Sequence, residues 1–66
     1  MHLTINGKPE LVDDADTVAD LLIRFDIPPK RVAVEVNREL VPRAGFGQTR
    51  LENGDTVEIV TFVGGG

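Results

Sequence analysis

Residues 56–66 read Thr56-Val57-Glu58-Ile59-Val60-Thr61-Phe62-Val63-Gly64-Gly65-Gly66, and the fold turns on how this run divides. Period-2 alternation sends Val57, Ile59, Thr61 and Val63 to one side of an extended chain and Glu58, Val60 and Phe62 to the other. A strand that is apolar on both sides belongs inside a sheet, so the pattern predicts a last strand over Thr56 to Val63. Only one other segment has helical periodicity. Val18, Leu21, Leu22 and Phe25 fall at i, i+3, i+4 and i+7, one apolar stripe. Thr17 and Asp20 ahead of them have the spacing of a capping box, and Pro28-Pro29 is expected to end the helix. One short helix covers one face of a sheet. With the Val57 set assigned to the helix side, Glu58, Val60 and Phe62 are left towards solvent, an apolar patch of the kind that marks a partner site.

Outward from this pair, the other segments read as strands and turns. Met1, Leu3 and Ile5 alternate with His2, Thr4 and Asn6, and Asn6-Gly7 is a two-residue hairpin signal because both positions accept positive φ. Pro9 on the returning strand cannot donate to a ladder and places that strand at an edge. Val32, Val34 and Val36 alternate with Ala33, Glu35 and Asn37 as a third strand. A turn near Asn37-Arg38 leads to a short strand at Leu40-Val41, closed by Pro42. The stretch from Pro42 to Arg50 is irregular, with a single helical turn, and Phe46 in it plugs one end of the core. Asn53-Gly54-Asp55 is the final turn. The order predicts an α+β domain in which a mixed four- to five-stranded sheet wraps one main helix. The first and last strands then lie side by side at the centre. Residues 1–63 form this domain, and residues 64–66 are a flexible glycine tail.

Composition narrows the function classes. A chain of 66 residues is one small domain that buries only about 60% of its unfolded surface. Its core supplies no more than ~3–5 kcal/mol of net stability, which leaves no room for a deep catalytic cleft. There is no cysteine and one histidine, His2, so neither a thiolate nucleophile nor a convergent metal site is expected; His2 reads as a solvent-facing strand residue. Acidic residues outnumber basic ones, 11 to 7, which repels a phosphate backbone and suits a basic protein surface. Met1 runs directly into strand alternation, without a targeting segment, and the apolar runs are too short to span a bilayer. A cytoplasmic location is the default expectation.

The three terminal glycines have no side chain to bar them from a channel too narrow for a Cβ. A strand with an exposed apolar side delivers the chain end directly into them. The motifs Leu3-Thr4-Ile5-Asn6-Gly7, Thr17-Val18-Ala19-Asp20-Leu21-Leu22, Val32-Ala33-Val34-Glu35-Val36-Asn37, Glu39-Leu40-Val41-Pro42-Arg43, Asn53-Gly54-Asp55 and Val57-Glu58-Ile59-Val60 through Gly65-Gly66 span essentially the whole chain. In these the sequence resembles the ubiquitin-like β-grasp sulfur carriers, and among them the ThiS family of thiamine thiazole biosynthesis. The Gly-Gly end marks the superfamily, while the Asn-x-Glu-x-Val-Pro-Arg stretch and the short length point to ThiS. Gly45-Phe46-Gly47 departs from the family, whose members often carry a more helical, tryptophan-bearing segment there.

The resemblance implies that the chain is a carrier, a co-substrate with no catalytic residues of its own. A ThiF-like adenylating enzyme would use ATP and magnesium to turn the Gly66 carboxylate into an acyl-adenylate. Sulfur from a cysteine desulfurase, as a persulfide, would then displace AMP and leave a thiocarboxylate. That group would serve as sulfur donor to a thiazole synthase of the ThiG type. Gly66 is the modified residue in this scheme, and Gly64 and Gly65 thread the partners' channels. Val60 and Phe62 form the docking patch with Ala33, and Glu35 and Glu58 are its acidic rim. A sister carrier for molybdopterin or tRNA thiolation, and a ubiquitin-like protein modifier, are the alternatives with the same tail.

Overall fold

The computed structural model describes residues 1–62; Val63 and the glycine tail, Gly64 to Gly66, lie outside the described residues. The first hairpin joins β1 (His2–Ile5) to β2 (Lys8–Leu11). Asn6 and Gly7 both take positive φ, 50° and 81°, the geometry whose twist matches two antiparallel strands. After a loop the chain enters α1 (Val18–Arg24), a 3-10 turn (Pro29–Arg31), β3 (Val32–Val36) and β4 (Glu39–Val41). A second 3-10 turn (Arg43–Gly45) sits in the irregular crossover, and β5 (Thr56–Thr61) is the last strand. The sheet has five strands in the order β2-β1-β5-β3-β4. β1 and β5 run parallel as neighbours, and the other pairings are antiparallel. This is the β-grasp layout, with proline-bearing β2 at one edge and β5 in the middle.

The helix start satisfies its own orphan donors. The Thr17 hydroxyl accepts from the Asp20 N–H (3.2 Å), and the Asp20 carboxylate accepts from the Thr17 N–H (3.2 Å), a complete capping box. The next two donors are taken by the crossover: Val18 N–H to the Thr49 carbonyl (3.0 Å) and Ala19 N–H to the Phe46 carbonyl (2.9 Å). The Asp16 N–H also donates to Asp20 (3.1 Å), and with the Thr17 groups it holds that carboxyl below its ordinary pKa. A carboxylate lowered in this way contributes stability above the usual carboxylate pKa and loses it as pH falls through the lowered one.

The helix ends earlier than the prolines predict. Asp26 takes φ 58°, its N–H donates to the Ile23 carbonyl (3.0 Å), and the Ile27 N–H donates to the Leu22 carbonyl (2.8 Å). That pair of bonds is a Schellman closure, with aspartate in the left-handed position that glycine usually fills. Pro28 and Pro29 follow the stop and do not make it.

Val18, Leu21 and Leu22 of the helix pack on Leu3, Val32, Val34, Val41, Val57 and Ile59 of the sheet, with Phe46, Leu51, Val12 and Ala15 closing the ends. Phe25 is only half-buried against this core. No polar or charged residue is buried among the described residues.

Polar side chains at the turns fix the middle strand. Backbone pairing of β1 with β5 runs through Thr4 N–H to Asp55 (3.0 Å) and Asn6 N–H to Val57 (2.9 Å). Where the chain then turns away, the Asn6 amide replaces the missing strand residue. Its Oδ1 accepts the Ile59 N–H (2.7 Å), and its Nδ2 donates to the Ile59 carbonyl (3.1 Å). Asn37 Oδ1 accepts the Thr56 N–H in the same manner (3.0 Å). Asn6→Ala therefore loses two hydrogen bonds and places a less tolerant residue at positive φ. We expect a cost of about 2–3 kcal/mol, read as a lower urea midpoint at unchanged slope. Asn6→Gly, which relieves the backbone, should cost less; equal stability of wild type and Asn6→Ala would mean that the clasp does not hold β5.

Candidate functional site

The division of the last strand into two sides is visible in its burial. Val57 and Ile59 are 0% and 8% exposed beneath the helix, whereas Val60 and Phe62 are 58% and 51% exposed on the opposite side of the sheet. The regular strand ends at Thr61, short of the expected Val63. Its pairing continues one residue further, since the Phe62 N–H donates to the Arg31 carbonyl (2.7 Å).

Strand register arranges the outward side chains in rows, because directly paired residues share a face. Val60 pairs with Ala33. The row before it holds Glu58 opposite Glu35, and Glu35 opposite Leu40. All five expected docking residues, Val60, Phe62, Ala33, Glu58 and Glu35, thus lie on β3, β5 and its one-residue extension. Leu40, 67% exposed, joins the patch and is not among the residues expected from the sequence. In a strand of three residues, Glu39-Leu40-Val41, alternation is too short to say which side chain points outward. Glu35 lies directly beside Leu40 and one row from Ala33, and Glu58 lies opposite Glu35 and one row from Val60.

His2 is exposed on the same sheet at β1. No group of three or more His, Cys, Asp or Glu side chains converges on a metal position among the described residues. An apolar groove on the helix side, lined by Ala19, Leu22, Ile23, Pro29 and Phe46 with Lys30 and Arg43, shares no residue with the outer face. It presents no nucleophile beside a base. Among the described residues no helix is long and apolar enough to cross a membrane. Among the described residues, the feature that stands out is the exposed apolar face of Val60, Phe62 and Leu40. Gly64, Gly65 and Gly66, the expected channel and modification residues, lie outside the described residues.

Residues 3–66 match the model of the ThiS family. The chain is 38% identical over 65 residues to the sulfur carrier protein ThiS of Bacillus subtilis, covering 97% of this chain and 98% of that one. It is also 41% identical over 66 residues to a thiazole synthase of Paramagnetospirillum magneticum, all of this chain but only 20% of that protein. A thiazole synthase of Magnetococcus marinus is similar at 36% identity, again over 20% of its length. The chain thus spans about a fifth of the length of these two relatives. Among solved structures, the crystal structure of a thiamine biosynthesis protein (ThiS) from Geobacter metallireducens superposes with a TM-score of 0.84 at 42% identity, covering both chains fully.

Proposed function

The chain belongs to the ThiS family, and on that premise we propose that it carries sulfur for thiamine thiazole formation on its own C-terminus. The observation that carries this reading is the position of β5. The strand leading into Gly64-Gly65-Gly66 is the middle strand of the sheet, clasped by Asn6 on one side and paired with β3 on the other. Gly66 is four residues beyond Phe62, so a fully extended tail reaches at most ~14 Å from the docking face. A partner held on Val60 and Phe62 receives the terminal carboxylate within that radius.

A carboxylate becomes an electrophile when its oxygen is made a leaving group. The Gly66 carboxylate oxygen attacks the α-phosphorus of magnesium-bound ATP in a ThiF-like adenylating enzyme, and pyrophosphate leaves. The terminal sulfur of a persulfide, supplied through a cysteine desulfurase, attacks the acyl carbon and expels AMP. A thiol then splits the resulting acyl disulfide, supplying the two electrons and leaving the thiocarboxylate. Because the chain contains no cysteine, its acyl carbon is the position available for sulfur. The recipient is a thiazole synthase of the ThiG type, a reading supported by relatives in which a segment similar to this chain is part of a thiazole synthase. The chain supplies no catalytic group and serves as co-substrate. The test is pyrophosphate exchange into ATP by the adenylating enzyme, which should depend on adding this chain. Exchange that proceeds equally without it contradicts the proposal.

A further inference from the structure

We infer that the partner surface that docks on the outer sheet face inserts a cationic side chain, an arginine or lysine set among apolar groups, between Glu35 and Glu58. This rests on the docking reading above and names the chemistry of the group that meets it. The two glutamates are direct partners in the β3–β5 ladder, which places their Cβ atoms roughly 4.5–5.5 Å apart on one face. Both are exposed, and neither belongs to an ion pair among the described residues. Like charges directly opposite each other destabilise a sheet, so the pair is not explained by the stability of the free chain.

Its surroundings give it a role. Leu40 flanks Glu35 on β4, and Val60 with Ala33 forms the next row towards Phe62. A protein surface that covers both Leu40 and Val60 spans two strand spacings, about 10 Å across the sheet; it passes over β3 beside Glu35 and meets Glu58, which lies opposite Glu35 and one row from Val60. Two like charges taken out of water without a counter-charge are costly. A guanidinium fork or an ammonium placed between them offsets that cost, and Arg is the better match because it donates to two carboxylates at once. Among the described residues no Lys or Arg of the chain pairs with either carboxylate.

The inference predicts opposite signs for folding and for binding. Glu35→Gln, Glu58→Gln and the double variant should be as resistant to urea as wild type or more so. Titrated against the adenylating enzyme and against thiazole synthase, each single variant should bind at least one of them tenfold or more weakly, with a shallower dependence on salt. Phe62→Asp in the same titrations serves as control. If Phe62→Asp abolishes binding while the glutamine variants bind within twofold of wild type, the face docks but no cation reads the pair, and the inference is overturned. If Phe62→Asp also binds normally, the docking reading fails and the inference fails with it.

Discussion

Removing Gly65 and Gly66 will leave the domain folded and reduce chain-dependent pyrophosphate exchange to background. The first half follows from where the stability resides. The buried core described runs from Leu3 to Ile59, and the last described ladder bond is that of Phe62. The two glycines removed have no side chain to bury, so the change in unfolding free energy should stay within about 0.5 kcal/mol. The second half follows from geometry. Shortening the chain by two residues draws its terminal carboxylate back by up to ~7 Å. Attack on phosphorus needs the reacting atoms roughly 3–3.5 Å apart, and even a 1 Å misplacement costs about 100-fold. It also leaves a single glycine after Val63. Exchange by the truncated chain at more than a few per cent of the wild-type rate would show that the reacting carboxylate is held by something other than tail length.

Phe62→Asp will raise the dissociation constant for the adenylating enzyme about 100-fold, close to 3 kcal/mol, while the fold persists. Half of the Phe62 surface is open to water. In an interface this ring is a large apolar anchor, and replacing it with a carboxylate puts a third acidic group on the face that already holds Glu58 and Glu35. In the free chain the loss is small, because the residue lies past the regular strand and off the helix side of the sheet. Its known bond uses the backbone N–H, which aspartate retains. We expect a stability change below about 1 kcal/mol. A variant that unfolds would place Phe62 in the core and contradict the two-sided reading of β5.

That two-sided reading was legible because it required only alternation and the count of helices. Val57 and Ile59 go under α1 because one amphipathic stripe has one sheet face to cover, and Val60 and Phe62 stay outside for the same reason. The first hairpin was legible through Asn6-Gly7, and the helix start through Thr17 and Asp20, since each is a local pairing of backbone and side chain. The features that escaped depend on contacts between distant residues. Asn6 reads as a turn residue, and nothing nearby reveals that its amide clasps Ile59, 53 positions away. The early stop of the helix hides in Asp26, which occupies a left-handed position without being glycine. Leu40 escaped because three residues cannot establish a period. That Glu35 and Glu58 are direct partners, with Leu40 beside Glu35, became visible only with the register of β3, β4 and β5.

The central claim is that the acyl carbon of Gly66 carries the sulfur, and the intact mass of the chain tests it most directly. After incubation with ATP, magnesium, the adenylating enzyme, a cysteine desulfurase with cysteine, and a thiol, the chain should gain about 16 Da, one oxygen replaced by sulfur. Fragmentation should place that gain at Gly66, and alkylation should label the new group even though the chain has no cysteine. A chain of unchanged mass after that incubation, or a gain that maps elsewhere, would contradict the account.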